Sequence, residues 1–500
     1  MMLLPAGFEF LAAAHGPAHL LTKSVEQVHY VWNFVDDLLG QHLRIFIGFV
    51  LALLVVARLT LEKRNPSNIF AWGLVIFFVP WLGVPLYFIF GGRKVRHLVK
   101  VKREVNAFAA ELAAGMDVTS PPLAGKLMSP RRRYGDNTFQ LFGDGVEAYR
   151  ALRREIARAE KSIHLQTFIL GRDEPAQEIV ADLAQRARDG IEVKLLLDAL
   201  GSFGATGHFV EPIRRAGGRV GRFMKVLPLQ TKWSANLRNH RKFGVFDRER
   251  VLVGGQNIDH RFIASRDAPT LFYDFGAQIE GPVAAAFNRN FVSDWCFATR
   301  DSPRDFRELL AYTPPPRGAE TMEVVTSGPD AEDDPLWERL LIMVQQCRRE
   351  LTIVTPYFVP DEVLFRSLIV QGHLGRRVRI ILPENSNHLL ADFARHYYLR
   401  QLHDAGVEVL LYRPKMMHAK LVIMDNEVAV IGSANLDYRS LFVNFEVGVF
   451  LYTPQPVQEL AAWTERMCAD CVTYIDSGHA GAGASRRRMQ DFAHLLGPLL

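Results

Sequence analysis

The chain has 500 residues, too many for one ordinary hydrophobic core, so two domain-sized units and a smaller segment are expected and a lone small binding module is excluded. Hydrophobic residues at 49% and charged residues at 23% exclude a mostly disordered or collagen-like chain, and four cysteines are too few for a disulfide-stapled scaffold. The formal net charge of +5 acquires meaning only from where the basic residues fall.

In chain order, residues 1–42 carry Val25, Val28, Trp32, Val35 and Leu39 at helical spacing, behind the capping pair Ser24 and Gln27. This reads as an amphipathic helix lying in a membrane interface or against another element. Residues 43–92 then read as two transmembrane helices. The stretch 69–90 has no charged residue over 22 positions, about 33 Å as a helix, which matches a bilayer core. The stretch 43–61 is also apolar, with Arg44 and Arg58 near its ends where their stems can snorkel. Beyond the second stretch lie Arg93, Lys94, Arg96, Lys100, Lys102 and Arg103, against Lys63 and Arg64 in the loop between the two. That asymmetry predicts that the bulk of the protein is cytoplasmic.

After a basic linker, residues 93–133, the chain repeats itself. Strand-like runs at 161–169 and 190–198 flank a helical stretch, and the same order returns at 350–358 and 377–383. The repeat predicts an α/β fold of two similar halves, 134–312 and 313–480, with mixed, mostly parallel sheets. The Pro-rich run at 313–316 marks the join, and residues 481–500 form a tail.

Each half carries one polar constellation. The first is His240-Arg241-Lys242, then Asp247, then Gly254-Gly255-Gln256-Asn257; the second is His418-Ala419-Lys420, then Asp425, then Gly432-Ser433-Ala434-Asn435. From His to Asn the spacing is 17 in both. The runs on either side of Asp425-Asn426 suit a two-residue hairpin with Met424 opposite Glu427. In that register His418, Lys420, Ser433 and Asn435 share one face, as do His240, Lys242, Gly255 and Asn257. Asp247 and Asp425 begin the turns, so their first expected role is to hold the hairpin.

A phosphodiester gains negative charge at its equatorial oxygens during displacement, and Lys242, Lys420 and the donors Asn257, Ser433 and Asn435 suit that charge. One His can attack phosphorus while the other protonates the leaving oxygen. No metal or other cofactor is called for, since neither block clusters metal-ligand residues.

The two HxKxxxxD blocks with their GGxN and GSxN continuations resemble the phospholipase D superfamily, in which both motifs meet at one active site between the halves. Segments 64–72, 80–87, 327–329, 356–360 and 432–440 resemble, more narrowly, bacterial cardiolipin synthases, over the chain from about residue 43 onward. The resemblance implies a phosphatidyltransferase of the bacterial inner membrane. It would move a phosphatidyl group between two phosphatidylglycerol molecules, giving cardiolipin and glycerol without a metal. It further implies that a carboxylate orients each histidine, Asp274 following His240 and Glu446 following His418, with His240 as nucleophile and His418 as acid. Hydrolytic phospholipases, other phosphatidyltransferases and nucleases belong to the same superfamily. Attraction of the 93–133 linker to anionic lipid accounts for its charge more simply than nucleic acid does. A non-catalytic membrane scaffold would leave both histidine blocks unexplained.

Overall fold

The computed structural model describes residues 66–90, 132–224 except 206, and 237–475 except 332, together with 40, 43, 46–51, 53, 54, 57, 102–105, 107, 108, 111 and 489. The helix expected within 1–42, and much of the 43–61 stretch, the linker and the tail, lie outside the described residues. The chain divides into one unit ending at Tyr87 and another from Phe88 onward.

In the first unit the apolar stretch 69–90 is not one helix. It is split between Pro66–Phe78 and Pro80–Phe90, because Pro80 has no N–H to donate and its ring crowds the turn before it. Trp72 and Tyr87 would stand about 22 Å apart on a straight helix, yet their rings meet edge to face with centroids 5.6 Å apart. A Cβ on Gly83 would lie 2.7 Å from the Ile76 Cα, so only glycine permits this approach. Helices of 13 and 11 residues span about 20 and 17 Å, short of a ~30 Å hydrocarbon core. No helix among the described residues is long and apolar enough to cross a membrane. The single long helix expected over 69–90 is therefore corrected to a short helical hairpin, whose turn exposes Phe77, Phe78, Val79, Trp81 and Leu82.

The second unit uses one plan twice, within a continuous 15-stranded sheet among the described residues. From the centre outward the first half supplies Arg133–Phe142, Gly276–Glu280, Arg250–Gly254, Phe243–Phe246, Ser162–Thr167, Glu192–Asp198 and Arg219–Phe223. The second half runs the other way through Glu320–Ser327, Glu446–Leu451, Val428–Gly432, Leu421–Met424, Glu350–Val354, Arg377–Pro383, Glu408–Tyr412 and Cys471–Thr473. The halves join where Arg133–Phe142 pairs antiparallel with Glu320–Ser327.

The mostly parallel sheets expected from the repeat are corrected by this topology. Within the 15-stranded sheet, parallel pairing is confined to Ser162–Thr167 and its two outer neighbours, and to the equivalent trio around Arg377–Pro383. Helical crossovers such as Glu174–Arg188 permit that direction, whereas the tight turns at Asp247 and Asp425 force antiparallel pairs. Trp295 and Trp463, on the equivalent helices Ala284–Thr299 and Pro454–Cys468, are both buried in one core drawn from the two halves. Trp463 also donates to the Gly143 carbonyl of the first half at 2.9 Å.

The two hairpins show where the sequence reading slipped. Asp425 and Asn426 take φ of 54° and 56°, and the Glu427 N–H closes on the Met424 carbonyl at 2.9 Å. Glu427 is then an extra residue, so Met424 pairs with Val428 and Leu421 with Ile431. The first hairpin does the same, with Phe246 opposite Arg250. The expected register is corrected by one residue, and the shared face it implied does not follow from the ladder. Gly432, at φ 152°, redirects the chain before Ser433; a Cβ there would strike the Val447 carbonyl.

Each turn aspartate is fixed by the strand beside it. Asp247 accepts the N–H groups of Glu160, Lys161 and Ser162 at 2.9, 2.6 and 3.1 Å. Asp425 accepts those of Arg348, Arg349 and Glu350 at 2.9, 2.8 and 2.9 Å. Burial pushes both carboxyls up, but these amides outweigh it and hold each below its ordinary value. Asp425→Asn keeps the shape and removes the charge, and should lower stability by about 1.5–3 kcal/mol at pH 7. Because the folded value is the lower one, the wild-type advantage is complete above about pH 4 and disappears as pH falls through the folded value. Thermal melts of both proteins against pH check this, and equal melting temperatures at pH 7 would contradict it.

Candidate active site

Neither half holds a complete site. The His240 N–H donates to the Phe445 carbonyl at 2.9 Å, and the His418 N–H to the Tyr273 carbonyl at 2.8 Å. These are parallel bridges, Asn239 with Phe445 and Tyr273 with Met417, each linking a histidine segment to the opposite half. The residue after each acceptor is an acid, so the carboxylates arrive crossed. Glu446 of the second half lies 2.9 Å from His240 Nδ1, and Asp274 of the first half lies 3.2 Å from His418 Nδ1. The order of motifs along the chain suggested the opposite pairing, Asp274 with His240, and the bridges exclude it. A carboxylate at Nδ1 holds the proton there and leaves the Nε2 lone pair for chemistry.

The lysines sit against their own histidines. Lys242 Nζ donates to the His240 carbonyl at 2.7 Å, and Lys420 Nζ donates to the His418 carbonyl. Lys420 Nζ also lies 2.8 Å from His418 Nδ1. That nitrogen can accept from Lys420 or donate to Asp274, a choice of tautomer that His240 does not face.

Burial sets the titration of the whole group. It lowers His240, with Glu446 opposing, and lowers His418 further, with Lys420, Lys242 and His240 adding to the effect. Asp274 is pushed up to about 6 by burial, against the pull of Lys420. Glu446 is also pushed up by burial, but His240, Lys242 and Ser433 outweigh it and hold Glu446 below the usual carboxylate value. Lys242 falls well below the ordinary ammonium value through burial, and Lys420 falls to about 8.

The three expected phosphate donors are placed differently from one another. Ser433 Oγ donates to Glu446 Oε2 at 2.5 Å and accepts from the Val447 N–H at 3.0 Å, so it braces the carboxylate. Asn257 Oδ1 accepts from the Ile169 N–H at 3.1 Å. Asn435 donates through Nδ2 to Asp437 at 3.0 Å and lines a cavity of about 600 Å³ beside His240. In the first half Gly255 stands where Ser433 stands in the second, because a Cβ there would come within 3.1 Å of both Asp274 and Lys420.

Sequence reasoning passed over Arg241. Its fully buried guanidinium binds both Asp294 oxygens at 2.6 and 2.8 Å, and reaches the Ser327 carbonyl at 3.1 Å and the Glu446 carbonyl at 3.2 Å. It thereby fixes the backbone of the carboxylate that serves His240. The available signal was a charge between His and Lys in one block where the other has Ala419. Among the described residues one group has metal-ligand types, Asp173, Asp259 and His260. Asp173 already caps the helix Glu174–Arg188 and Asp259 already grips Arg261, so the group has an internal role.

Comparison with known proteins places the geometry in a class and then in a family. Residues 152–295 and 340–468 match the family described as "Cardiolipin synthase, PLD-like domain", and residues 47–92 match "Phospholipase_D-nuclease N-terminal". The fold is similar to that of phosphatidylserine synthase from Haemophilus influenzae, with a TM-score of 0.55 at 18% identity over 72% of this chain and 95% of that one. The family match places the chain in the phospholipase D superfamily, and the likeness to the synthase is one of fold.

The major cardiolipin synthase ClsA of Bacillus subtilis is 30% identical over 81% of this chain and 87% of its own length. The cardiolipin synthase of Oceanobacillus iheyensis is 30% identical over 83% and 90%. The chain belongs to the bacterial cardiolipin synthases, which are phosphatidyltransferases of that superfamily.

The shifts predict a pH profile for kcat/KM, which reports the free enzyme. An imidazole depressed below 6.5 stays neutral into mild acid, so the acid limb should lie below pH 6.5. Asp274 gives up its proton through about 6 and Lys420 through about 8, so the rate should fall in two steps as pH rises. A profile flat from pH 7 to 9.5 would show that the Lys420 charge is not needed.

Proposed function

We propose that the protein transfers the phosphatidyl group of one phosphatidylglycerol to a hydroxyl of a second, giving cardiolipin and glycerol through a phosphatidyl-histidine at residue 240. The observation that carries the reading is the crossed pairing of each imidazole with the opposite half's carboxylate. In the first step His240 Nε2 attacks phosphorus, the bond to the glycerol oxygen breaks, and His418 gives that oxygen a proton. In the second step His418 takes a proton from the incoming lipid hydroxyl, whose oxygen attacks phosphorus and expels Nε2. Lys242, Lys420 and Asn435 stabilise the charge that builds on the equatorial oxygens. Asp247 and Asp425 hold the hairpins that carry the lysines, and Ser433 and Asn257 brace the site.

The choice of nucleophile follows from the carboxylates. A phosphorylated imidazole is cationic, and Glu446, held ionised, stabilises that cation at His240. Asp274, with its affinity for a proton raised, forms with His418 a pair suited to carrying the proton the leaving group needs.

The apolar N-terminal unit, followed by the basic residues from Arg93 onward, would hold the enzyme to the inner membrane with its catalytic unit in the cytoplasm. Anionic phospholipid, and not nucleic acid, is the partner.

Purified protein given labelled phosphatidylglycerol should yield labelled cardiolipin, and either His240→Ala or His418→Ala should lower turnover by about 10⁴ or more. With an activated substrate whose leaving group needs no proton, His418→Ala should accumulate a phosphatidyl adduct on residue 240 by mass spectrometry. An adduct on residue 418 in His240→Ala would reverse the assignment, and near wild-type turnover of either variant would rule out the two-histidine mechanism.

A further inference from the structure

The mechanism accounts for one phosphate, yet the acceptor lipid brings a second. Its attacking hydroxyl lies at the far end of a glycerol whose other end carries a phosphodiester. The cavity of about 600 Å³ beside His240 has the size of a ligand pocket. Its wall carries charges to which the two-histidine chemistry assigns no task.

Two guanidiniums line it, Arg238 and Arg439. The Arg238 side chain is 5% exposed and stands 3.6 Å from Asp198. Burial weakens the charge on Arg439, Asp437 supports it and the neighbouring Arg238 opposes it, so the two guanidiniums feel each other. An anion between them would relieve that repulsion. At the rim, Leu389 and Leu390 are 75% and 58% exposed, an apolar exit for acyl chains.

Comparison of the halves sharpens the point. Arg261 stands in the first half where Arg439 stands in the second, and Asp259 grips it through Nε and Nη2 at 2.7 and 3.0 Å. The equivalent Asp437 binds Asn435 Nδ2 and the Ser440 N–H at 3.0 and 2.7 Å and also supports the charge on Arg439. Two residues before the histidine, the first half has Arg238 and the second has Met416. The duplicated plan has diverged so that cationic side chains collect on the His240 side.

We propose, resting on the transfer reading above, that this cavity is the acceptor subsite. Arg238 and Arg439 bind the acceptor's phosphodiester, so that the free hydroxyl at the far end of its glycerol is presented to the phosphorus on His240. The subsite selects an alcohol that carries a phosphate over one that does not.

The test offers two soluble acceptors, each carrying the label, to the full-length enzyme with unlabelled phosphatidylglycerol as donor, and counts the label that enters lipid. Glycerophosphoglycerol and glycerol present similar hydroxyls and differ in the phosphodiester. Wild type should prefer glycerophosphoglycerol by at least tenfold in product formed at equal concentration. Arg439→Gln should reduce that preference at least fivefold, and Arg439→Lys, which keeps the charge but not the fork, should fall between. The preference is a ratio within one preparation, so partial loss of folded enzyme does not change it, and the Lys variant keeps the test open if the Gln variant fails to fold. A wild-type preference below twofold, or a preference unchanged in both variants, overturns the subsite while leaving phosphatidyl transfer intact. A wild type that transfers to neither acceptor and forms no cardiolipin overturns the transfer reading itself.

Discussion

The site depends on two backbone hydrogen bonds that cross between halves, from His240 to Phe445 and from His418 to Tyr273. Each brings an acid to the imidazole of the opposite half, and each fails if the halves separate. The cost of this arrangement is large, since Lys242, Lys420, Asp274 and Glu446 are all buried, and an unpaired buried charge is unfavourable by several kcal/mol. Alternating the charges limits that cost. Arg241, held by Asp294 and Asp330 and bonded to the carbonyl of Glu446, extends the alternation outward into the shared core.

The two halves keep one plan and depart from it where the proposed chemistry is unequal. Both turn aspartates accept three amide N–H groups from the adjacent strand, and both hairpins bulge one residue after the turn. Those features shape backbone, and both histidines need them. The departures lie in what surrounds the rings. Glu446 has Ser433 to brace it and stays ionised, while Asp274 faces Gly255 and is pushed up to about 6. An attacking imidazole and a proton-donating one need different neighbours, and a strictly symmetric site would supply neither well.

Much of this was legible in the chain, for physical reasons. Local spacing carried the repeat, the positions of His, Lys and Asp, and the turn at Asp425-Asn426, because turns and alternation are short-range properties. The bulges at Glu249 and Glu427 were not legible, since an extra residue leaves no mark on the hydrophobic alternation that sets register. The crossing of Asp274 and Glu446 was out of reach too, because it is decided by contacts between residues such as Asn239 and Phe445, far apart in sequence. Pro80 was legible and was outweighed in the reading by the absence of charge over 69–90; hydropathy measures how apolar a stretch is, not whether it is one straight helix. Arg238 and Arg439 carried no spacing signal, and only the cavity brings them together.

The central claim is that Glu446 serves the nucleophile and Asp274 serves the acid. The rate of phosphatidyl-enzyme formation in Glu446→Gln and Asp274→Asn, each with an activated substrate and with phosphatidylglycerol, tests it most directly. The account predicts that Glu446→Gln slows adduct formation with both substrates, while Asp274→Asn slows it with phosphatidylglycerol and leaves the activated substrate nearly unaffected. Slow adduct formation from the activated substrate in Asp274→Asn, with a normal rate in Glu446→Gln, would contradict the crossed assignment.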